Sequence, residues 1–171
     1  WTFAPMVDIY RDARWGRVME GAGEDPFLGS KIATARVKGF QGETRADLLK
    51  NNTIAACAKH FAVHSGPELV RHQFNAEASQ KDLWETYLPA FKALVDVKVE
   101  AVMCAYNSTN GQPCCSNSYL ITDVLRKKWN FKGHVLTDCW ALQDLYAPKG
   151  TGHGIVKTQA EAAALAVKSG V

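Results

Sequence analysis

The residues with most chemical reach in this sequence stand where apolar runs stop. Lys59 and His60 interrupt "AACAKHFAV", Tyr106 and Asn107 end "VEAVMCAYN", Asp138 ends "GHVLTD" and Asp8 ends "WTFAPMVD". An ionised carboxylate can attack an electrophilic carbon, and neighbouring Lys, His or Arg can hold it ionised while donating hydrogen bonds to hydroxyl groups. A second polar concentration is "YRDARWGRVMEGAGEDP", where Arg11, Arg14 and Arg17 alternate with Asp12, Glu20, Glu24 and Asp25 around Trp15. For any one of these arginines a solvated salt bridge is the plainer reading. Together with Trp15 and the glycines they suit a polyhydroxylated ring, which stacks on an indole and accepts from a guanidinium fork.

Other chemistries find less support. His60 and His64 have the i, i+4 spacing of helical zinc ligands, but no Glu follows His60 and the segment reads as strand, where that spacing spans about 13 Å. The five cysteines, Cys57, Cys104, Cys114, Cys115 and Cys139, are odd in number and form no CxxC pair. Reduced, mostly buried thiols are expected, and none has a base and orienting partner signalled for nucleophilic chemistry. No GxGxxG or GxxxxGK[ST] follows a strand, which weakens the reading as a nucleotide-binding sheet. The net charge is only +3 with Lys and Arg dispersed, and no apolar run approaches the length of a membrane span, so neither nucleic acid nor membrane is expected as a partner.

The elements that would position these residues repeat as strand, loop, helix. Strands are predicted at Thr2 to Asp8, Ile54 to Phe61, Glu100 to Tyr106 and His134 to Asp138, with nearly continuous apolar content that favours a parallel sheet covered on both faces. Asp25 before Pro26 opens the first helix, with Leu28, Ile32 and Ala35 as its apolar face. Ser79 with Asp82 opens the second, carrying Leu83, Tyr87, Phe91 and Leu94 and kinked by Pro89. Leu120, Val124 and Leu125 mark the third, and a Thr158–Glu161 capping box with a terminal Gly170 bounds the fourth. The fold class is therefore α/β, and the four units read as about half of a (β/α)8 barrel, which takes about 250 residues when complete. Residues 1–171 then form a single partial domain, cut from a longer chain and carrying open sheet edges that favour self-association in isolation. In such folds the carboxyl ends of the strands open on one mouth, so Asp8, Lys59, His60, Tyr106, Asn107 and Asp138 are expected to share it.

"DARWGRVMEGAGEDPFLGS", "KHFAVHSGPE", "VMCAYNSTNGQPCC" and "GHVLTDCWAL" together resemble glycoside hydrolase family 3, in the family's order over nearly the whole chain. The resemblance implies a retaining, exo-acting β-glycosidase with an N-terminal (β/α)8-type barrel followed by an α/β sandwich domain. It implies Asp138 as nucleophile and Arg17, Lys59 and His60 as sugar ligands, in chemistry that requires no metal or organic cofactor. Met103 and Tyr106 match positions beside the bound ring, and Trp140 is expected on the substrate with them. The implied partners are an oligosaccharide or glycoside and the remainder of the barrel and C-terminal domain. Compartment stays open, with periplasm or secretion both compatible with a full-length protein.

Two features depart from the family pattern. Many of its β-glucosidases place Trp directly after the nucleophile, whereas Cys139 intervenes here; with "NGQPCC" this leans toward the β-xylosidase-like members. The general acid/base usually lies later in the chain, and no motif assigns it to Glu20, Glu24 or Glu68. Two alternatives stand beside this reading. One is a noncatalytic carbohydrate-binding or scaffold domain; the other is the β-N-acetylglucosaminidase branch, whose Asp-Ser-His is not found after His64.

Overall fold

The computed structural model describes residues 1–50 and 52–171. Its strands in chain order are β1 (Cys57–Phe61), β2 (Asn75–Ala76), β3 (Ala101–Cys104), β4 (Ser108–Thr109), β5 (Gln112–Pro113) and β6 (His134–Thr137). The long apolar runs supply β1, β3 and β6, which pair in that order and all in parallel. Such pairing needs crossover connections and cover on the faces, and the intervening helices supply both. β2, β4 and β5 form a small second sheet, in which β4 and β5 are an antiparallel hairpin.

The predicted first strand is extended but not a full ladder member. Thr2 N–H donates to Ala55 O, Val7 N–H to Lys59 O and Cys57 N–H to Ala4 O, with an isolated bridge between Met6 and Lys59. Pro5 has no N–H to contribute and its ring fixes φ, which is why the pairing is interrupted there. The segment still runs beside β1 and delivers Asp8 to its carboxyl end.

Helix α1 (Pro26–Gln41) starts as expected, with Asp25 accepting from Phe27 N–H at 2.7 Å and Leu28 N–H at 3.1 Å. Its buried face differs from expectation. Ala33, Val37 and Gln41 are buried, while Leu28, Ile32 and Ala35 lie on the exposed side. The small side chains at 33 and 37 allow α1 to lie close against its neighbouring helix, and Gln41 turns inward because its amide serves Ala56 N–H, Glu100 N–H and Lys98 O. Helix α2 (Gln80–Asp82) runs through a wide turn at Leu83–Tyr87 into α3 (Pro89–Asp96). Pro89 cannot donate, and the preceding turn widens so that Leu88 N–H reaches back to Leu83 O. A similarly wide helix at Tyr119–Lys128 buries Leu120, Ile121, Val124 and Leu125. The short α4 (Ala141–Tyr146) closely follows β6 and had no sequence signal. Helix α5 (Gln159–Ser169) has the Thr158–Glu161 capping box and ends at Gly170, whose φ of 103° is the left-handed closure glycine favours.

The main core lies between one face of the sheet and α1, α3 and the Tyr119–Lys128 helix. Phe61 meets Phe91 edge-on at 5.0 Å, surrounded by Leu88, Leu94, Val102, Leu120 and Leu125. Each of these side chains contributes about 2 kcal/mol by leaving water. A smaller cluster of Cys57, Ala101, Met103 and Leu136 is separate from this core.

The expectation of reduced thiols is corrected at one pair. Cys104 and Cys115 form a disulfide, with Cα atoms 5.1 Å apart. The β4–β5 hairpin folds the chain back after Asn107 and returns Cys115 to the end of β3, a proximity that linear spacing does not reveal. Cys57 and Cys114 are buried thiols and Cys139 is an exposed one.

Candidate active site

The carboxyl end of β1 carries Lys59 and His60, and His60 is fully buried. Asp8, delivered by the extended N-terminal segment, accepts the His60 backbone N–H at 3.2 Å and lies 2.8 Å from ring Nδ1. On the other side of the imidazole, Nε2 is 3.2 Å from Asp138 Oδ2 and 3.0 Å from Arg17 Nη1. Asp138 stands one residue beyond β6, where its Oδ1 accepts the Cys139 backbone N–H at 2.7 Å. Arg17 comes from the charged loop after Asp8, with Nη1 3.7 Å from Asp138 Oδ2. Its Nε and Nη2 donate to Glu20 at 2.6 and 3.0 Å, and Glu20 in turn lies 3.4 Å from Lys59 Nζ. The groups thus form a chain of alternating sign: Asp8, His60, Asp138, Arg17, Glu20, Lys59.

Burial disfavours a charged imidazole, yet the carboxylates of Asp8 and Asp138 at its two nitrogens outweigh this and hold His60 above the ordinary imidazole value. Burial likewise disfavours the Asp138 carboxylate. The His60 ring, the Cys139 N–H and the Tyr106 hydroxyl overcome it and hold Asp138 well below the usual carboxylate range. Glu20 is pulled down to about 2, chiefly by its hydrogen bonds from Arg17. Tyr106 is pushed up by burial and by the Asp138 charge, so its hydroxyl keeps its proton and remains a donor.

His64 behaves differently although its ring is only 4.7 Å from that of His60. Asn107 Nδ2 donates to Val63 O and Ser108 O, which turns Oδ1 toward His64 Nδ1 at 3.0 Å. An amide oxygen only accepts, so His64 carries its proton on Nδ1. Burial lowers its pKa to about 4 and leaves it neutral at working pH. Asn107 also anchors Val63, which has a φ of 64°, a strained position for a β-branched residue.

Arg17, Lys59, His60, Tyr106 and Asp138 therefore converge, joined by Asp8 and by Glu20. Met103 is buried with Cys57, Ala101 and Leu136 in the smaller cluster. Trp140 stands at the rim with 78% of its surface exposed and a left-handed φ of 67°. Glu68 does not join the cluster; it accepts Gly16 N–H at 3.1 Å and pairs with Arg71, bracing the loop that carries Arg17. Sequence reasoning missed the clamp of Glu20 between Arg17 and Lys59, although the three-residue step from Arg17 to Glu20 was a usable signal. It also missed the ion pair of His72 with Asp144, which has no local signature. Among the described residues, no three His, Cys, Asp or Glu side chains are grouped as metal ligands.

An ionised, largely buried carboxylate thus lies between His60 and Arg17 at the carboxyl end of the sheet, with an exposed indole at the rim. The class that fits this fold and site is the glycoside hydrolases. The family model described as the glycosyl hydrolase family 3 N terminal domain matches residues 1–171, and the chain belongs to that family. A xylan 1,4-beta-xylosidase of Xylanibacter ruminicola is 50% identical over 85% of this chain and 17% of its own length. A probable exo-1,4-beta-xylosidase of Neosartorya fischeri is 45% identical over 99% of this chain and 22% of its own length. Among solved structures, a beta-glucosidase from Listeria innocua superposes with a TM-score of 0.90 at 38% identity, covering 99% of this chain and 23% of that one. The chain thus spans about a fifth of the length of the relatives it matches.

Proposed function

We propose that residues 1–171 are the part of a retaining β-glycosidase that carries the nucleophile, Asp138. The observation that carries this reading is the state of Asp138 Oδ2. It is held ionised, is 3.2 Å from His60 Nε2 and 3.7 Å from Arg17, and has no well-aligned hydrogen bond of its own. A lone pair left free in a cationic setting is available to attack an anomeric carbon. The C–O bond to the leaving group then breaks, and water later hydrolyses the glycosyl ester.

In this mechanism Arg17, Lys59 and His60 grip sugar hydroxyls while keeping Asp138 charged, Tyr106 donates to Asp138, Met103 underlies the ring and Trp140 stacks at the rim. A retaining enzyme needs a second carboxyl group about 5 to 5.5 Å from the nucleophile to protonate the leaving oxygen. Glu20 cannot hold that proton with a pKa of about 2, and Asp8 sits behind His60. The acid/base is placed on a carboxyl group elsewhere in the whole enzyme, as the resemblance to the family implies. The order of extended segment, β1, β3 and β6, parallel and in chain sequence, supports reading the chain as a single partial domain, about half of a (β/α)8 wall. The remaining strands and the C-terminal domain are its partners. Cys139 after the nucleophile, and relatives named as xylosidases, favour β-xylosides over β-glucosides as substrate.

The test is to assay the full-length enzyme on aryl β-xyloside, β-glucoside and α-arabinofuranoside beside Asp138→Asn. Loss of at least about a thousandfold in kcat is expected for the variant. Full activity in Asp138→Asn would return the chain to the noncatalytic sugar-binding reading.

A further inference from the structure

Four polar residues outside the proposed machinery surround Tyr106. Asp144, on α4, is buried, and its Oδ2 lies 2.8 Å from His72 Nδ1. The His72 ring in turn lies 4.4 Å from the Tyr106 ring, tilted by 54°, and the Arg71 guanidinium is 6.0 Å from the same ring. His153 Nε2 is 2.7 Å from Tyr106 O; because a carbonyl only accepts, Nε2 carries the proton and Nδ1 accepts from Ser108 Oγ at 3.1 Å. The His153 backbone N–H closes the circuit by donating to Asp144 O at 2.7 Å.

Burying a carboxylate is costly unless its charge is used. Here it fixes a half-exposed imidazole, whose side chain is 44% accessible against 8% for Asp144. Asp138 precedes α4, Asp144 lies on it and holds His72, and His72 packs on the ring of Tyr106, whose hydroxyl interacts with Asp138. We infer that His72 and Asp144 are positioning residues for the proposed reaction, holding the Tyr106 ring so that its hydroxyl donates to Asp138. The inference rests on Asp138 being the nucleophile. His72 and Asp144 act through Tyr106, and neither needs to touch the substrate.

The charged and titratable neighbours are consistent with a local, geometric role. Asp138 is faced by His60, Arg17 and Tyr106, with the Cys139 N–H; Tyr106 is faced by Asp138, the Cys139 thiol, Arg71 and His72. Asp144 is faced by His72 and His153, with Asp138 beyond. The packing contact of His72 toward Asp138 runs through the Tyr106 ring.

The test uses the full-length enzyme with an aryl β-xyloside, reading kcat, KM and the melting temperature. Tyr106→Phe is expected to lower kcat by about tenfold, since the hydroxyl's contribution is made to the reacting carboxylate. His72→Phe, which keeps a ring against Tyr106 but loses the tie to Asp144, is expected to lower kcat severalfold with KM within about twofold, as misplacement of a reacting group does. In the Tyr106→Phe background the same change is expected to have no further effect on kcat. Asp144→Asn, which still accepts from His72, should recover at least half of what Asp144→Ala loses. Equal losses from His72→Phe in both backgrounds, or no loss in either, overturn the inference while leaving the nucleophile assignment intact. Full activity in Asp138→Asn overturns both. If His72→Phe does not fold, the Asp144→Asn and Asp144→Ala pair decides: equal losses refute the positioning role.

Discussion

Replacing Asp8 by Asn tests whether the site is organised around a charged His60. The substitution keeps the shape and an acceptor oxygen but removes one of the two carboxylates flanking the imidazole. A hydrogen bond to a charged group contributes about 2 kcal/mol. The sign of its pH dependence follows from His60 being held above its ordinary value of 6.5. Its contribution to stability is fully present below 6.5 and is lost as pH rises through the raised value. Asp138, held below its ordinary 3.8, contributes above that value and loses its contribution only as pH falls through the depressed one. The pair therefore supports the fold most strongly between about 3.8 and 6.5. Asp8→Asn should cost about 2 kcal/mol at pH 5, and the cost should fall as pH rises through the raised His60 value, where the wild type loses its imidazolium. The assay is the thermal midpoint of the full-length enzyme in a pH series from 5 upward, with a shift of about 1 °C expected at pH 5 for a protein about five times the length of this chain. A cost that stays flat or grows across the whole pH range in which the wild type stays folded would refute the reasoning. It would mean that His60 is neutral in the native protein, with Nε2 accepting from Arg17, and that the Asp8 contact is an ordinary hydrogen bond.

Two further outcomes follow from local structure. Trp140→Gly removes a bulky residue from a left-handed position at a cost in strain of about 1 kcal/mol, so the melting temperature should hold or rise slightly. KM for the aryl xyloside should nonetheless rise severalfold as the exposed indole is lost, and an unchanged KM would remove Trp140 from the substrate site. Replacing Cys104 and Cys115 together by Ser opens a loop of sequence separation 11 and should cost about 3 kcal/mol, read as a lower melting temperature that reductant no longer changes.

The sequence was most informative where one physical rule governs both pattern and place. Continuous apolar runs mean parallel strands, and a polar residue at the end of such a run means the mouth, so His60 and Asp138 were legible without a structure. Pairings set by tertiary geometry were not. Asp8 was expected at the same mouth as His60, but its bond to the imidazole, across 52 residues, depends on how the interrupted extended segment runs beside β1. His72 meets Asp144 across 72 residues because a helix begins closely after β6. That helix escaped notice because it opens on Trp140 in a left-handed conformation, for which no capping signature exists. On α1 the pattern was present but misleading. Leu28 and Ile32 mark an apolar stripe, while the face that packs uses small residues and an inward-turned Gln41.

The charge arrangement explains how one set of residues can serve both halves of a double displacement. With His60 protonated, the cations Arg17, Lys59 and His60 balance the anions Asp8, Glu20 and Asp138. On the proposed mechanism, attack converts Asp138 into a neutral ester and leaves that balance one positive charge in excess, at the two groups 3.2 and 3.7 Å from its oxygen. In a partly desolvated setting this excess is costly. Cleavage of the ester restores the carboxylate and with it the balance, so the field that lowers the Asp138 pKa also makes Asp138 a good leaving group. Too strong a field would make it a poor nucleophile. Glu20, locked onto Arg17 and beside Lys59, moderates the field by neutralising part of both cations. Glu20→Gln should therefore strip that moderation, slowing glycosylation while sparing ester hydrolysis. A burst of aryl leaving group larger than in the wild type would contradict this account.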